Sequence, residues 1–514
     1  MKYSIIIKNG NIVDGSGNDA YEADIGVLGE KIITIGNLSK DSADEIINAD
    51  GLCVSPGFID ITNHSDVYGT LFYIPTQESM LLQGISTILV GNCGESLAPI
   101  VKKDSLETLE RWTNFSINAD WNSMKDYLNK IENNGIGVNI ATLVGQETLR
   151  RNSKSIEESK FLSKISFEEG AWGLSSNFSF SNWNLDLEKE TKILLNEVKQ
   201  IDGIYKVHIK DEGKNFLPAI AEVVELARKS GVNTVISHFK AVGKSAWMGF
   251  EKAIEIIEKA QAEGVNIALD LFPYLRSGSQ LVSLLPNWAR EGTNSEILFR
   301  IKDSNLRKYL ISDLEKSTLH AENILIASAS ADKHIVGNSL KEIAENIGKT
   351  LEETILDILL INNLGVTIFG RTINQKNLLS VMKKKYSAIS SNGAGYDLSF
   401  KNSGDLVHPR SFGAFPRFIR IAQNSGIKVE EFIKKITHLP ASYLKIKNRG
   451  LLKKDSMADI TIFDLKSIKD CSTYKNPFKF SLGVEYVIVS GGIAVKNNQV
   501  TKTKFGKVLR KSGK

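Results

Sequence analysis

The stretch that decides the fold is residues 204–238, IYKVHIKDEGKNFLPAIAEVVELARKSGVNTVISH. It begins with the apolar run 204–207, continues through an amphipathic helical stretch over 217–229, and returns to an apolar run at 234–237. A strand, a helix and a second strand in this order predict a parallel βαβ unit. One histidine follows each run, His208 and His238, at the edge where parallel strands end together.

The same alternation extends over most of the chain. Further strand candidates lie at 86–90, 137–141, 173–175, 266–270 and 324–327, with helical stretches such as 250–263 between them. No Gly-x-Gly-x-x-Gly follows an early strand, which weakens the dinucleotide-binding alternative. At 514 residues, the pattern predicts a (β/α)8 TIM-type barrel over 56–440, in which 285–350 reads as an insertion.

Both chain ends differ from the middle in their predicted secondary structure. Residues 1–55 contain Ile5-Ile6-Ile7 before the turn dipeptide Asn9-Gly10, and residues 441–514 contain strand-like runs at 459–464 and 484–489. Because short strands and turns dominate at both ends, we expect one small β-sandwich formed by the N- and C-terminal segments.

Composition excludes several classes of protein. With 42% hydrophobic and 24% charged residues, the chain is neither fibrous nor largely disordered. A net charge of +5 over this length is too weak to indicate a nucleic-acid or membrane-surface partner. No run approaches the ~18 apolar residues of a membrane helix, and three cysteines cannot form a disulfide framework. A cytoplasmic protein is expected, with its oligomeric state open.

Four metal-ligand side chains follow apolar runs. They are His64, Cys93, His208 and His238. A single histidine or cysteine in such a place is more often a packed residue, but four of them at four separate strand ends predict a metal site. Imidazoles and a thiolate suit Zn²⁺ or a similar borderline metal.

Five motifs carry a family resemblance: PGFID at 56–60, GNCGESLAP at 91–99, HIKDEG at 208–213, SHFK at 237–240 and HPRSFG at 408–413. Together they resemble the D-aminoacylase (N-acyl-D-amino-acid deacylase) family of the metal-dependent amidohydrolase superfamily. The resemblance spans nearly the whole chain, and the block around Cys93 is its most family-specific part.

The resemblance implies a zinc-dependent hydrolysis of the N-acyl amide bond of small N-acyl-D-amino acids. It also implies a barrel with a β-sandwich, and a zinc ion held by Cys93, His208 and His238. A second, weaker metal position would use a His-x-His pair that includes His64. A late aspartate would act as general base on the metal-activated water and pass the proton to the leaving amine.

Two positions depart from the family pattern. The His-x-His pair reads Thr62-Asn63-His64, and threonine is a poor zinc ligand, so the second metal position is weakened. The expected aspartate is Asn392, which cannot accept a proton near neutral pH. Asp397 or Asp66 could supply a carboxylate instead, but the favoured interpretation is that both are solvated or capping acids of loops.

Other side chains are candidates for substrate binding. Lys240 and Arg410 lie beside histidine motifs, and cations there would hold a substrate carboxylate, the arginine with two hydrogen bonds. Tyr274 and Ser279 follow another strand and could orient the substrate, or could serve only packing. Two alternatives stay open: a homologue that binds metal or ligand with impaired hydrolysis, and a hydrolase of another linear or cyclic amide.

Overall fold

The computed structural model describes residues 2–102, 119–179, 185–316 and 320–511. Parallel strands and helices alternate through the middle of the chain, and a mixed sheet gathers its two ends. The architecture is therefore mixed α/β, as the sequence predicts.

The N-terminal segment is strand-rich. Its strands are β1 (Lys2–Ile12), β2 (Tyr21–Leu28), β3 (Lys31–Gly36), β4 (Ser42–Asn48) and β5 (Cys53–Pro56).

The central segment carries the parallel strands and the helices. Its strands are β6 (Phe58–Asp60), β7 (Ile85–Val90), β8 (Asn139–Thr142), β9 (Val144–Gly145), β10 (Gly173–Asn177), β11 (Ile204–His208), β12 (Asn233–Ile236), β13 (Ile267–Leu271), β14 (Arg276–Gln280), β15 (Ile324–Ala329), β16 (Val366–Arg371) and β17 (Ser387–Ile389). Its α-helices are α1 (Thr70–Tyr73), α2 (Glu78–Leu81), α3 (Met124–Asn134), α4 (Gln146–Asn152), α5 (Ile156–Glu168), α6 (Leu185–Gln200), α7 (Phe216–Ser230), α8 (Lys244–Trp247), α9 (Phe250–Ala262), α10 (Asn287–Arg290), α11 (Asn294–Lys302), α12 (Ser304–Glu315), α13 (Leu340–Ile347), α14 (Leu351–Ile361), α15 (Gln375–Met382), α16 (Arg410–Asn424), α17 (Val429–Ile436) and α18 (His438–Leu444).

The C-terminal segment adds β18 (Ile460–Phe463), β19 (Val484–Val489), β20 (Gly492–Lys496) and β21 (Gln499–Val500). These strands join the N-terminal ones in a single sheet with the order β21-β20-β19-β18-β5-β1-β2-β3, and β4 pairs with β1. The junction is the antiparallel pair of β18 and β5. The two chain ends therefore meet in one sheet.

The parallel strands of the centre lie in two sheets, β6-β7-β8 and β9-β10-β11-β12-β13-β17. A single residue, Leu143, separates β8 from β9. At the opposite edges, a parallel bridge joins Asn63 to Gly393, and the amide of His64 donates to the Gly393 carbonyl over 2.8 Å. Side chains along β7 are all buried, as expected for a parallel strand covered on both faces.

The apolar run at 324–327 forms a strand, but our expectation that it continues the parallel alternation is wrong. It lies in β15, which pairs antiparallel with β16, and β16 pairs antiparallel with β14. Together with α10 to α14 these strands enclose an apolar core of their own, which includes Leu310, Ile326 and Leu359. A short apolar run fits any buried strand, so its sequence does not specify the direction of its partner.

Helix α7 shows how the central helices are specified. Its buried face contains Ala219, Ile220, Val223 and Ala227, at the spacing of one helical stripe. The helix ends at Gly231, whose φ of +65° is the left-handed conformation that favours glycine. Among the helices of the described ranges, none combines the length and apolar character required to cross a bilayer.

Candidate metal centre

Cys93 lies in a tightly held turn after β7. Its φ is +53°, and a side chain at the neighbouring Gly91 would collide with the Leu143 carbonyl oxygen, only 2.2 Å from an ideal Cβ. The Asp66 carboxylate accepts a hydrogen bond from the Gly91 amide over 2.8 Å, and Ser175 accepts one from the Gly94 amide over 2.9 Å. These contacts fix the backbone on both sides of the thiol.

His208 and His238 end neighbouring parallel strands and meet Cys93. His208 is the last residue of β11, and His238 follows β12 with its amide donating to Asp270 over 2.9 Å. The Cys93 Sγ lies 3.3 Å from His238 Nε2, and the two imidazole rings are 4.5 Å apart at 81°. One ligand atom from each of the three residues lies within 4.8 Å of the others. The structure therefore brings three of the four predicted ligands together.

The geometry and chemistry of this group fit a zinc ion. Zinc bonds of about 2.3 Å to sulfur and 2.0–2.1 Å to nitrogen place tetrahedral ligand atoms roughly 3.3–3.6 Å apart, close to the Sγ–Nε2 distance. Burial raises the pKa of the Cys93 thiol to about 12, so a free thiol is protonated there, whereas coordination to a metal deprotonates it.

Glu212 links the two histidines to Lys240. Its Oε1 lies 3.3 Å from His238 Nδ1 and 3.6 Å from His208 Nε2, and it also accepts from the Lys240 ammonium. Burial opposes ionisation of Glu212, but Lys240 and the two histidines hold its pKa well below the usual range. The anionic carboxylate is placed to orient His238 with its Nε2 towards Cys93. Lys240, predicted to bind substrate, is engaged in this network.

His64 lies apart from the group of three and pairs with Asn392. Its Nε2 donates to Asn392 Oδ1 over 2.8 Å. Burial lowers the pKa of His64 to about 3, so the ring is neutral. Asn392 itself is 7% exposed with a φ of +48°. The two positions that depart from the family pattern, Thr62 and Asn392, are adjacent, because the Asn392 amide donates to the Thr62 carbonyl over 2.8 Å.

Sequence reasoning missed a buried ion pair beneath these residues. Lys206 and Asp270 are both fully buried, with Nζ 2.8 Å from Oδ2, and the Lys206 ammonium also donates to the Thr62 hydroxyl. Burial by itself raises the pKa of Asp270, but Lys206 lowers it below the usual range. The available signal was a lysine inside an apolar run two residues before His208, which places both side chains on one face of the strand.

Neither of the two proposed substitute acids joins the cluster through its described contacts. Asp397 precedes the 3-10 helix Leu398–Ser403, where its carboxylate accepts from the amide of Ser399 over 2.9 Å. Asp66 holds the Gly91 amide, and burial raises its pKa to about 7. These contacts correspond to the capping and loop-supporting alternatives.

Arg410 borders a cavity, open in part to solvent, which also reaches Asn392, His408 and Tyr396. The arginine is only 8% exposed, and its Nε has no hydrogen-bond partner. No carboxylate of the described ranges lies within ion-pairing distance of its guanidinium; the Phe272 ring lies 5.0 Å away. Arg410 is thus a buried cation that faces a cavity without a counterion among the described residues.

The other two substrate-binding candidates have partners within the protein. The Tyr274 hydroxyl donates to the Pro409 carbonyl over 3.3 Å, and its ring packs edge-on against His408. The Ser279 hydroxyl lies 2.8 Å from that of Ser283. Tyr274 therefore supports the segment that presents Arg410.

Comparisons with known proteins agree with the motifs. No protein-family model matches the sequence. Over 99% of the chain, the sequence is 25% identical to D-aminoacylase and 27% identical to N-acyl-D-glutamate deacylase of Alcaligenes xylosoxydans xylosoxydans, covering 98% and 97% of those proteins. The resemblance to D-aminoacylases is confirmed over the full length.

Solved structures give the same result for the fold. A crystal structure of D-aminoacylase, said to define a novel subset of amidohydrolases, matches with a TM-score of 0.82 and 25% identity, covering 99% of this chain and 100% of that one. N-acyl-D-glutamate deacylase from Bordetella bronchiseptica, complexed with zinc and a phosphonate inhibitor, matches with a TM-score of 0.82, 24% identity and the same coverage.

Proposed function

We propose that this protein is a zinc-dependent amidohydrolase that cleaves the N-acyl amide bond of N-acyl-D-amino acids. The observation that carries the proposal is the convergence of Cys93, His208 and His238 on one point. Full-length similarity to D-aminoacylase and to N-acyl-D-glutamate deacylase supports the reaction class and a small-molecule substrate.

We infer that the two parallel sheets form one (β/α)8 barrel. The order β6-β7-β8/β9-β10-β11-β12-β13-β17 contains eight strand positions when β8 and β9 count as one, and the Asn63–Gly393 bridge would join the last to the first. The barrel would span 56–440, and segments 1–55 and 441–514 would form the β-sandwich. Cys93, His208 and His238 would then lie at the carboxyl edge, where barrel enzymes carry their active sites.

Three side chains would hold the zinc ion: the Cys93 thiolate and the imidazoles of His208 and His238. When bound, zinc polarises an amide carbonyl and lowers the pKa of water to about 7, so that hydrolysis can proceed at neutral pH. Glu212 keeps the His238 ring oriented through its Nδ1. A metal ligand whose second nitrogen is fixed in this way binds with a defined tautomer and direction.

Arg410 provides the counterion for the substrate carboxylate. Its guanidinium is buried and faces the cavity, and a carboxylate can accept two parallel hydrogen bonds from it. Because the cavity also reaches Asn392, a substrate anchored at Arg410 would extend towards His64 and the metal ligands. The anchored carboxylate would fix which face of the substrate's α-carbon points towards them.

A second candidate function is ligand or metal binding with impaired hydrolysis. The observation that favours it is Asn392, whose side-chain oxygen accepts from His64 and cannot take a proton. Asp405 is the acidic residue among the described residues that line the cavity, and its carboxylate is paired with Lys333 at 2.6 Å. We therefore expect slow turnover.

The test combines metal content with turnover. Purified protein should retain zinc and release free amino acid from N-acetyl-D-amino acids but not from their L-enantiomers. Removal of zinc by a chelator should abolish the rate, and added zinc should restore it. Zinc-loaded, folded protein without turnover on any N-acyl-D-amino acid would favour the binding-only alternative, and a rate that survives chelation would contradict a zinc enzyme.

Arg410→Met separates substrate binding from metal binding. We expect a KM increase of about 100-fold, since a buried charged hydrogen-bond partner of the carboxylate is lost, with zinc content unchanged. Arg307→Met, which removes an arginine paired with Asp357 at 2.6 Å, is the matched control and should change KM little. An unchanged KM for Arg410→Met would contradict the role of Arg410.

A further inference from the structure

Lys206 is a fully buried cation on the same strand face as His208. It lies in β11, two residues before that histidine, so both side chains point to one side of the sheet. Its Nζ donates to the Ile61 carbonyl, the Thr62 hydroxyl and the Asp270 carboxylate. The carbonyl and the carboxylate can only accept, and the Asp270 carboxylate supplies the negative charge that stabilises the lysine as an ammonium ion.

Three oxygens surround this ammonium much as oxygen ligands surround a metal cation. They come from two chain segments: Ile61 and Thr62 follow β6, and Asp270 lies in β13. The Asp270 carboxylate is fully used, because its Oδ1 accepts from the His238 amide over 2.9 Å and from Ser390 over 2.8 Å. A buried charge is retained only when such partners compensate it.

This ammonium bonds to residue 62, one of the two residues that the family resemblance assigns to a second metal. That position would use residue 62 together with His64, and here residue 62 is a threonine bonded to Lys206. Through this bond the cation contacts residue 62 directly, and its own strand ends at His208.

The carboxyl groups nearest this side are already engaged, because Asp270 pairs with Lys206 and Asp60 accepts from Ser391 and Asn63. Thr62 is a hydroxyl, His64 is neutral, and Asn392 is an amide whose oxygen already accepts from His64. An incoming divalent ion would meet a fixed like charge in a poorly solvated site, where Coulomb repulsion is strong.

Resting on the proposed metal site, we propose that the Lys206 ammonium takes the place of a second metal ion and restricts this protein to a single zinc. Residues 62, 206 and 392 then act together: Thr62 replaces a metal-ligating imidazole, Asn392 offers an uncharged amide, and Lys206 supplies a permanent positive charge. The competing view is that Lys206 and Asp270 form an internal ion pair without influence on metal binding.

The test compares two variants that differ only in the lysine. Thr62→His/Asn392→Asp supplies ligands for a second metal and keeps Lys206. The triple variant adds Lys206→Gln, which removes the positive charge and keeps an N–H donor for Asp270. Zinc titration of chelator-treated protein should give a second binding event at least about 100-fold tighter in the triple variant than in the double variant.

A second buried lysine provides a matched control, and the zinc content of wild-type protein provides a test without substitutions. Lys435 is another buried lysine, whose Nζ donates to the Ser387 carbonyl over 3.3 Å, and adding Lys435→Gln to the double variant should leave the second affinity unchanged. Wild-type protein should bind one zinc per chain. Should the triple variant not fold, the double variant still tests the proposal, because it should take up only one zinc at concentrations that saturate the first.

The outcomes distinguish this inference from the proposed function. Equal second-site affinities with and without Lys206, or two zinc ions in wild-type protein, would overturn the inference and leave the zinc enzyme intact. Wild-type protein without zinc at Cys93 would overturn the proposed function and remove the premise of the inference.

Discussion

The two sides of the site differ in charge. We term them the cysteine side (Cys93, His208, His238 and Glu212) and the lysine side (Thr62, His64, Asn392 and Lys206). On the cysteine side, three ligand atoms converge and an anionic carboxylate orients one of the histidines. On the lysine side, the side chains of Thr62, His64 and Asn392 are neutral, and the buried ammonium of Lys206 pairs with Asp270.

Asp270 connects the two sides. One of its oxygens accepts from the backbone of His238, and the other accepts from Lys206. The same carboxylate therefore positions a metal ligand and holds the Lys206 ammonium in place. The distribution of fixed charges, as well as the number of histidines, decides where a metal ion can bind.

The largest effect is expected from Cys93→Ala. The change removes the thiolate of the cysteine side, so zinc should be lost on dialysis and hydrolysis of an N-acetyl-D-amino acid should fall to background. Metal analysis and rates measure the effect. Cys471→Ala, which changes a free cysteine in the C-terminal segment, is the control and should retain both zinc and rate. A Cys93→Ala protein with full zinc content would refute the assignment of the cysteine side.

Asn392→Asp sharpens the comparison from the lysine side. A carboxylate there can accept a proton, and a general base contributes about 10²–10⁴-fold in rate, so kcat should rise by a similar factor. Asn374→Asp is the control, because Asn374 caps α15 and an aspartate caps equally well. An unchanged kcat would show that proton transfer at residue 392 does not limit the rate.

Glu212→Gln tests whether the carboxylate behind the cysteine side matters for the metal. Substituting a hydrogen-bond partner of a ligating histidine typically weakens metal binding about 10–100-fold, and we expect a loss of zinc affinity in this range by competition with a chelator. Glu222→Gln changes an acid of the exposed Lys210 pair and should leave affinity unchanged. Equal affinities for both variants would remove the orienting role of Glu212.

The smallest effect concerns the pH dependence of stability. Burial raises the pKa of Asp66 to about 7, so the folded chain binds this proton more tightly than the unfolded chain. Stability from this group is therefore lost as pH rises from about 4 to 7, with a slope of at most roughly 1.4 kcal/mol per pH unit. Asp66→Asn should flatten this decline in urea unfolding of metal-free protein between pH 5 and 7.

Asp397→Asn is the matched control for that measurement. Asp397 caps a short 3-10 helix at the surface, and its replacement should leave the slope of stability against pH unchanged. A slope in Asp66→Asn equal to that of the wild type would show that Asp66 does not hold its proton in the folded state.

The sequence predicts the cysteine side better than the lysine side. Cys93, His208 and His238 each follow an apolar run, and parallel strands end at one edge, so local patterns were sufficient to bring them together. The ion pair of Lys206 and Asp270 joins residues 64 positions apart, and strand order, which composition does not reveal, decides such a contact.

Similar limits apply to the fold. The alternation of strands and helices was visible in the sequence, and so was the strand-rich texture of both chain ends. The direction of β15 was not, because an apolar run such as Ile324-Leu325-Ile326-Ala327 fits parallel and antiparallel neighbours alike. The partners of the Tyr274 and Lys240 side chains likewise depend on tertiary contacts, so the neighbouring residues in the sequence could not predict them.

The most direct test is a zinc-edge X-ray absorption spectrum of the wild-type protein, combined with its zinc content. We predict one zinc per chain with one sulfur ligand at about 2.3 Å and two imidazole nitrogens at about 2.0–2.1 Å. A spectrum without sulfur, or a metal–metal vector from a second zinc, would contradict it.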